Sequence, residues 1–375
     1  QEYFTDGVTE DLTTDLSKIS GLFVVARNSA FAYKGQSYDM RQVAVELGVK
    51  YLLEGSVRRV GDQVRFNAQL IDGESGGHLW AERFDGSMND IFALQDSVNR
   101  KIVEALKVTL TADDEARFDV VETSIPEAYD LMLKGVESYN EFSRESMDEA
   151  RDLFKQAAEL DPGYARAYAN IALTYATQSN FFWAAERDQH IRNGLEYADR
   201  AVALDASIPQ IYMTRSILYL SQRKHQAALE AAVRTVEVHP RYADGLATLA
   251  FIACHMGKFE MALDAMGRAK QVNPQSTGAY LGVEGLVRFL MTEYEESSRL
   301  LEQAVERNPR FDNFLTLAAT YAELGRLDDA AWTIEELLAI TPDTSQAKLR
   351  ETNLFMRDED FNHLLDALIK AGLPE

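Results

Sequence analysis

The sequence predicts an α/β domain built on a mixed sheet, followed by an all-α array of helix-turn-helix repeats. Three observations predict it. Residues 1–119 mix period-2 and period-3.6 apolar patterns, whereas the rest of the chain is helical in pattern almost throughout. A polar residue followed by proline recurs along the second part at a nearly fixed step. The chain has 375 residues, more than the ~250–300 that one hydrophobic core usually serves, so two domains or a repeat array is expected.

The first part reads as follows. Asp6-Gly7 precedes a helical stretch with Val8, Leu12, Leu16 and Ile19 on one face, and Gly21 ends it. Leu22-Phe23-Val24-Val25-Ala26 reads as a short buried strand. Asp39 is an N-cap for a helix over Met40 to Leu47, with Gly48 as its stop. Tyr51 to Val60, Gly61-Asp62 and Gln63 to Asp72 form strand, tight turn and strand, the glycine supplying a positive φ. Val64, Phe66, Ala68 and Leu70 alternate with Arg65, Asn67 and Gln69, so one face of this strand is wet. Gly73 to Gly77 turns again, His78 to Phe84 is a further strand, and Asp90 opens a helix with Ile91, Leu94, Val98, Ile102, Ala105 and Leu106 inward. The order helix, strand, helix, three strands, helix defines an α/β domain. The joint falls between Leu110 and Pro126, where a polar run breaks the apolar pattern and Pro126 suits the first turn of a new helix.

In the second part the marks are Asp161-Pro162, His239-Pro240, Asn273-Pro274, Asn308-Pro309 and Thr341-Pro342, with Leu204-Asp205-Ala206 in the same register. The steps are 44, 34, 34, 35 and 33 residues. Twelve residues before each mark stand Ala150, Gly194, Ala228, Ala262, Ser297 and Ala330; five before stand Ala157, Ala201, Thr235, Ala269, Ala304 and Leu337. All but Leu337 are small, and small residues at fixed offsets let antiparallel helices approach closely. Gly257 and Gly325 turn one helix into the next. This pattern resembles the tetratricopeptide repeat. The resemblance covers residues 127–342, with a longer inter-helix segment around Arg144 and an insertion around Phe181-Phe182-Trp183. It implies about six repeats in a right-handed superhelix over residues 120–342. Residues 343–375 would then form carboxy-terminal capping helices, with Phe361 to Leu373 closing the last open edge.

Residues 1–110 carry a second resemblance. Glu2-Tyr3-Phe4-Thr5-Asp6-Gly7, Phe23-Val24-Val25-Ala26-Arg27-Asn28-Ser29, Tyr33-Lys34-Gly35, Glu46-Leu47-Gly48-Val49, Leu53-Glu54-Gly55-Ser56-Val57-Arg58 and His78-Leu79-Trp80-Ala81-Glu82-Arg83 look like a bacterial domain similar to the amino-terminal domain of TolB. Proteins of this type place that domain before tetratricopeptide repeats, downstream of a class III adenylate/guanylate cyclase or a winged-helix DNA-binding domain. The ending Lys370-Ala371-Gly372-Leu373-Pro374-Glu375 resembles the cyclase-linked members. The family has a short apolar strand ahead of the position of Gln1, so the chain is expected to be the carboxy-terminal portion of a longer protein, with the first strand of its sheet missing.

Charge and chemistry narrow the function. Lys and Arg number 38 against 60 Asp and Glu, a net charge of −22, which disfavours direct binding to nucleic acid or anionic membrane. The single cysteine, Cys254, makes no internal disulfide and reads as a buried, inert thiol. No apolar run reaches the ~20 residues of a membrane span, and the first residues do not read as a signal peptide. No Gly-Lys-Ser/Thr phosphate loop, dinucleotide fingerprint, His-Glu-x-x-His or zinc spacing occurs. Nothing reproduces the aspartate-bearing strand of the cyclases, so no cofactor and no catalysis is expected of this chain. Asp113-Asp114-Glu115 reads as a solvated acidic linker rather than a cation site. Phe181-Phe182-Trp183 reads as packing of a lengthened helix pair rather than a docking patch.

Two candidate sites remain. Arg27, Asn28 and Ser29 follow the expected strand, where open α/β sheets bind ligands, although a hydrogen-bonded loop is the preferred reading, because Asn and Ser commonly satisfy local backbone groups. The second site is a concave peptide groove on the first helices of successive repeats. In residues 243–255 the packing face is Leu246, Leu249, Ala250 and Ala253; Asp244, Thr248, Phe251 and His255 share another. One repeat earlier stand Gln210, Thr214, Ile217 and Ser221; two repeats later stand Asp312, Thr316, Ala319 and Glu323. Resemblance to peptide-binding tetratricopeptide repeats makes these rows the groove, with threonine hydroxyls and the Phe251 ring offered to a mixed polar and apolar segment. The expected function is a regulatory, protein-interacting region of a cytoplasmic bacterial cyclic-nucleotide signalling protein, periplasmic if a membrane span precedes it. Its partner would be a protein or peptide, or another domain of the parent. The alternatives are the sensor region of a winged-helix transcription regulator and a small-molecule-binding α/β domain on a repeat scaffold.

Overall fold

The computed structural model describes residues 2–36, 38–112, 114, 122–180, 186–275 and 278–375. Two compact units are distinguished: Gln1–Thr214 with Val272–Pro274, and Arg215–Gln271 with Gln275–Glu375.

The first unit begins with α1 (Glu2–Ser17), α2 (Arg27–Phe31) and α3 (Met40–Leu47). Strands β1 (Tyr51–Val60), β2 (Gln63–Asp72) and β3 (His78–Ser87) follow, then α4 (Ile91–Ala105). Asp39 caps α3 by accepting from the Arg41 N–H at 3.0 Å, and Gly48 closes it at φ +65°. The strands form one sheet in the order β1-β2-β3. The tight turn at Gly61-Asp62 aligns Val60 with Gln63, and Gly61 has φ +60°. Strands joined by hairpins run antiparallel, so the described sheet is antiparallel rather than mixed.

The expected strand over 22–26 is absent. Leu22 and Val24 reach the core, but Phe23 is 47% exposed and the Ala26 N–H donates to the Val272 carbonyl at 2.9 Å. An apolar run makes a strand only where a neighbouring ladder takes its backbone groups. Helix α1 also begins earlier than the Asp6-Gly7 pair suggested. Gly7 sits within it, where a Cβ would meet Leu133 Cδ2 at 2.4 Å; the glycine serves a close approach, not a helix start. Phe4, Val8, Leu16 and Ile19 of this first segment pack with Val64, Phe66 and Phe84 of the sheet and with Ile91, Val98 and Ile102 of α4. Tyr129 and Leu133 of the next helix join the same cluster. Each such side chain contributes roughly 1.5–3 kcal/mol on burial.

Helix pairs fill the rest of the first unit and most of the second: α5 (Pro126–Asn140) and α6 (Arg144–Leu160), α7 (Ala165–Asn180) and α8 (Arg187–Leu204), α9 (Pro209–Ser221) and α10 (His225–Val238), α11 (Ala243–His255) and α12 (Phe259–Val272), α13 (Gly278–Leu290) and α14 (Tyr294–Arg307), α15 (Phe311–Glu323) and α16 (Leu327–Ile340). These helix pairs follow the period read from the sequence, and the twelve residues singled out from Ala150 to Leu337 are all buried. Pro126 opens α5 at its first turn. Gly257 and Gly325 hold φ +70° and +73°, and in the corresponding turns Arg223 and Thr292 hold φ +58° and +63°. Phe181, Phe182 and Trp183 lie outside the described residues.

The chain ends with α17 (Gln346–Glu351) and α18 (Asp358–Lys370). Helix α18 does not simply close the last pair. It packs against α15 and reaches α13, the first helices of the sixth and fifth pairs, because Phe361, Leu364, Leu365 and Leu368 give it an apolar face that is buried there.

A candidate docking surface on the first helices of the repeats

In the first unit, Gln210 donates to Asn170 Oδ1 at 3.1 Å, so it ties neighbouring repeats together. Thr214 is fully buried, and its hydroxyl has no hydrogen-bond partner.

In the second unit the threonine hydroxyls are not presented outward. Thr248 Oγ1 donates to the Asp244 carbonyl at 2.8 Å and Thr316 Oγ1 to the Asp312 carbonyl at 3.0 Å. Ser221 does the same with the Ile217 carbonyl at 3.0 Å. A helical hydroxyl that bonds back to the preceding turn has its proton engaged. The Asp244 carboxylate accepts from the Tyr280 hydroxyl at 2.6 Å, and Asp312 pairs with Arg310 at 3.1 Å.

Phe251 and His255 lie together, ring centroids 4.3 Å apart. His255 is buried, with Nδ1 2.9 Å from the Phe251 carbonyl, so Nδ1 carries the proton and donates. Burial pushes its pKa down to about 4. What buries it is the chain itself. The Phe355 ring lies 4.6 Å from the imidazole, and the Met356 N–H donates to the His255 carbonyl at 2.8 Å. Arg223 Nη2 donates to the Phe355 carbonyl at 3.2 Å, and His225 Nε2 is 2.9 Å from the Leu354 carbonyl. Further along, the His363 ring stacks on Phe289 at 4.6 Å, and its Nε2 lies 3.0 Å from the Tyr294 hydroxyl oxygen. Lys370 pairs with Glu323 at 2.6 Å. Residues 354–370 therefore lie across the last turns of α11, α13 and α15.

Of the residues the sequence put forward, His255 and Glu323 contact the 354–370 segment, and Phe251 lies beside His255; Arg223, His225, Phe355 and His363 were not among those put forward. Phe355 and His363 lie in a polar-aromatic stretch outside the repeat period, which names no target, and nothing in the sequence sets Arg223 and His225 apart from other turn residues of the repeats.

At the other candidate site, Arg27 stacks over the Phe31 ring at 4.0 Å and pairs with Glu10 at 3.5 Å. Ser29 is buried and donates to Asn273, in the short 272–274 segment of the same unit. Asn28 alone of the three is exposed. The trio sits in a five-residue helix, not a loop. Asp114 is not solvated either: it is buried and accepts from the Ser20 and Thr111 N–H groups at 3.0 and 2.9 Å, which hold its carboxyl well below the usual range. Asp113 and Glu115 lie outside the described residues. Cys254 is fully buried, and burial raises its thiol pKa. Among the described residues no group of three His, Cys, Asp or Glu side chains is placed to hold a metal ion, and no helix is long and apolar enough to cross a membrane.

No protein-family model matches the chain. A protein of Rhizobium meliloti (strain 1021) named "Putative adenylate cyclase 3" is 46% identical over 231 residues. The match takes in 62% of this chain and 39% of that protein, so the chain spans well under two thirds of its relative. Among solved structures, YrrB, described as a TPR protein with an unusual peptide-binding site, is 19% identical, with a TM-score of 0.34 over 51% of this chain and 93% of that one. Pseudomonas aeruginosa pilF is 14% identical, with a TM-score of 0.43 over 60% and 96%. The APC/C hetero-tetramer Cut9-Hcn1 is 15% identical, with a TM-score of 0.47 over 75% and 53%.

Proposed function

We propose that this chain is the non-catalytic regulatory and protein-interaction region of a bacterial signalling protein, joined in its parent to an adenylate/guanylate cyclase domain. The observation that carries this reading is the 46% identity over 231 residues to the Rhizobium protein, of which 61% lies outside the match (100 − 39) and leaves room for a catalytic domain. The TolB-like resemblance of residues 1–110 and the repeats that follow support the same assignment. The repeats would take a protein or peptide segment, or another domain of the parent. The cytoplasm, which holds ATP, is the compartment this reading implies.

The test compares the chain alone with the full product of its gene, assayed for cyclic AMP and cyclic GMP formed from ATP and GTP with magnesium or manganese. No turnover by the chain, turnover by the full product, and a changed rate once residues 1–375 are deleted are the expected results. Turnover by the chain itself, abolished by mutating one of its own carboxylates, would overturn the reading. A winged-helix domain encoded upstream would replace it with the transcription-regulator alternative.

A further inference from the structure

The contacts of residues 354–357 are those of a bound extended peptide. Two successive carbonyls, of Leu354 and Phe355, are held by His225 and Arg223, and the next N–H, of Met356, is held by the His255 carbonyl. The Phe355 side chain is buried against His255. Backbone hydrogen bonds supply affinity without regard to sequence, and one buried aromatic supplies selectivity. Of the two side chains that hold carbonyls, Arg223 stands in the turn joining α9 to α10 and His225 opens α10. Beyond Phe355, Arg357 lies over the Phe259 ring at 5.4 Å and pairs with Asp360 at 2.6 Å. Helix α18 then continues across the neighbouring first helices through His363 and Lys370.

We propose that residues 354–370 are an intramolecular ligand of the repeat surface, and that the partner is an extended protein segment whose aromatic side chain and flanking backbone groups replace Phe355 and its three hydrogen bonds. Binding in trans then requires release in cis. A surface free in only a small fraction of molecules binds with an affinity reduced by that fraction, so the segment sets the threshold at which the partner engages. This inference rests on the interaction-region reading and adds to it the place, the chemistry of the partner and the means of control.

The experiment uses the full chain and a fluorescent peptide carrying residues 350–361. His363→Ala removes a cis contact with Phe289 but leaves Arg223, His225, Phe251 and His255 unchanged, and the peptide does not contain that position. The variant is expected to bind the peptide about tenfold or more tightly than the unmodified chain, and a peptide with Phe355→Ala is expected not to bind. In the unmodified chain, hydrogen exchange of amides 354–370 should be faster than that of α11 and α13, and a saturating peptide should quicken it further. Equal binding by both chains, no binding by either, or exchange of 354–370 as slow as that of α11 would overturn the inference. Collapse of the helical fold in His363→Ala would also overturn it, by making the segment integral to the repeats. None of these failures touches the cyclase-linked reading, which the nucleotide assay tests separately.

Discussion

The ring of Phe355 covers the imidazole of His255 at 4.6 Å, and the backbone seals the contact where Met356 N–H meets the His255 carbonyl at 2.8 Å. An imidazole so covered loses the water that would solvate its charge.

The first prediction is a pH dependence. Burial holds the His255 pKa at about 4, below its ordinary 6.5; His225 nearby reinforces this, while the Phe251 carbonyl and Asp360 oppose it. The unfolded chain takes up a proton near pH 6.5 and the folded one does not. The contribution of neutral His255 is therefore complete above about 6.5 and is lost as the pH falls towards 4, on the order of 3 kcal/mol in all. Urea midpoints measured across that window should fall more steeply for the unmodified chain than for His255→Phe, which keeps a ring without the charge. Parallel curves would show that His255 titrates normally.

The second concerns Thr292. It holds φ +63° at the turn position where Gly257 and Gly325 stand in other repeats. A β-branched residue is strained there and glycine is not. Thr292 is exposed, so Thr292→Gly loses little packing and should stabilise by about 1 kcal/mol. A higher urea midpoint at unchanged slope is the expected reading; a lower midpoint would contradict it.

The third concerns Gly285. A Cβ there would lie 2.6 Å from Leu301 Cγ and 2.8 Å from Cδ2, and Leu301 is fully buried. Alanine gains about 1 kcal/mol of helix propensity, but overpacking costs roughly 1–3 kcal/mol. Overpacking should win, since the nearest atom is the Cγ branch point of a fully buried side chain rather than a free end. Gly285→Ala is thus expected to melt lower by circular dichroism, and a rise would show that α13 and α14 separate easily.

The fourth contrasts two neighbours. Leu249 is core, and Leu249→Ala should destabilise the second unit by ~2–5 kcal/mol. Phe251 is half-buried beside His255. Phe251→Ala should cost less, with faster hydrogen exchange confined to 354–370. Equal losses in melting temperature would place Phe251 in the core.

The repeats were legible because their physics is local and repeated. Ala262 and Ala269 are small for the same reason as Ala150 and Ala157, and a period seen several times needs no structure to read it. The hairpin at Gly61-Asp62 was legible because a positive φ restricts the residue. The strand over 22–26 misled because five apolar residues state only that something covers them, not that a ladder does. The faces of the first helices were half legible. Helical spacing placed Phe251 and His255 on one face, but spacing cannot say that the Thr248 and Thr316 hydroxyls bond to their own helices.

The sequence by itself determined the β1-β2 hairpin, the helix pairs of the described residues, the close-packed small positions and the acidic net charge, since each depends on residues near one another or on a sum over the chain. Tertiary structure alone decided what lies on the first helices. Nothing in Asn353-Leu354-Phe355-Met356 names His225 or His255 as partner. That pairing depends on where α17 ends, on the apolar face of α18, and on the backbone groups that Arg223 and His225 happen to reach. Long-range contacts of this kind arise from the geometry of the whole unit, which no single stretch of sequence encodes.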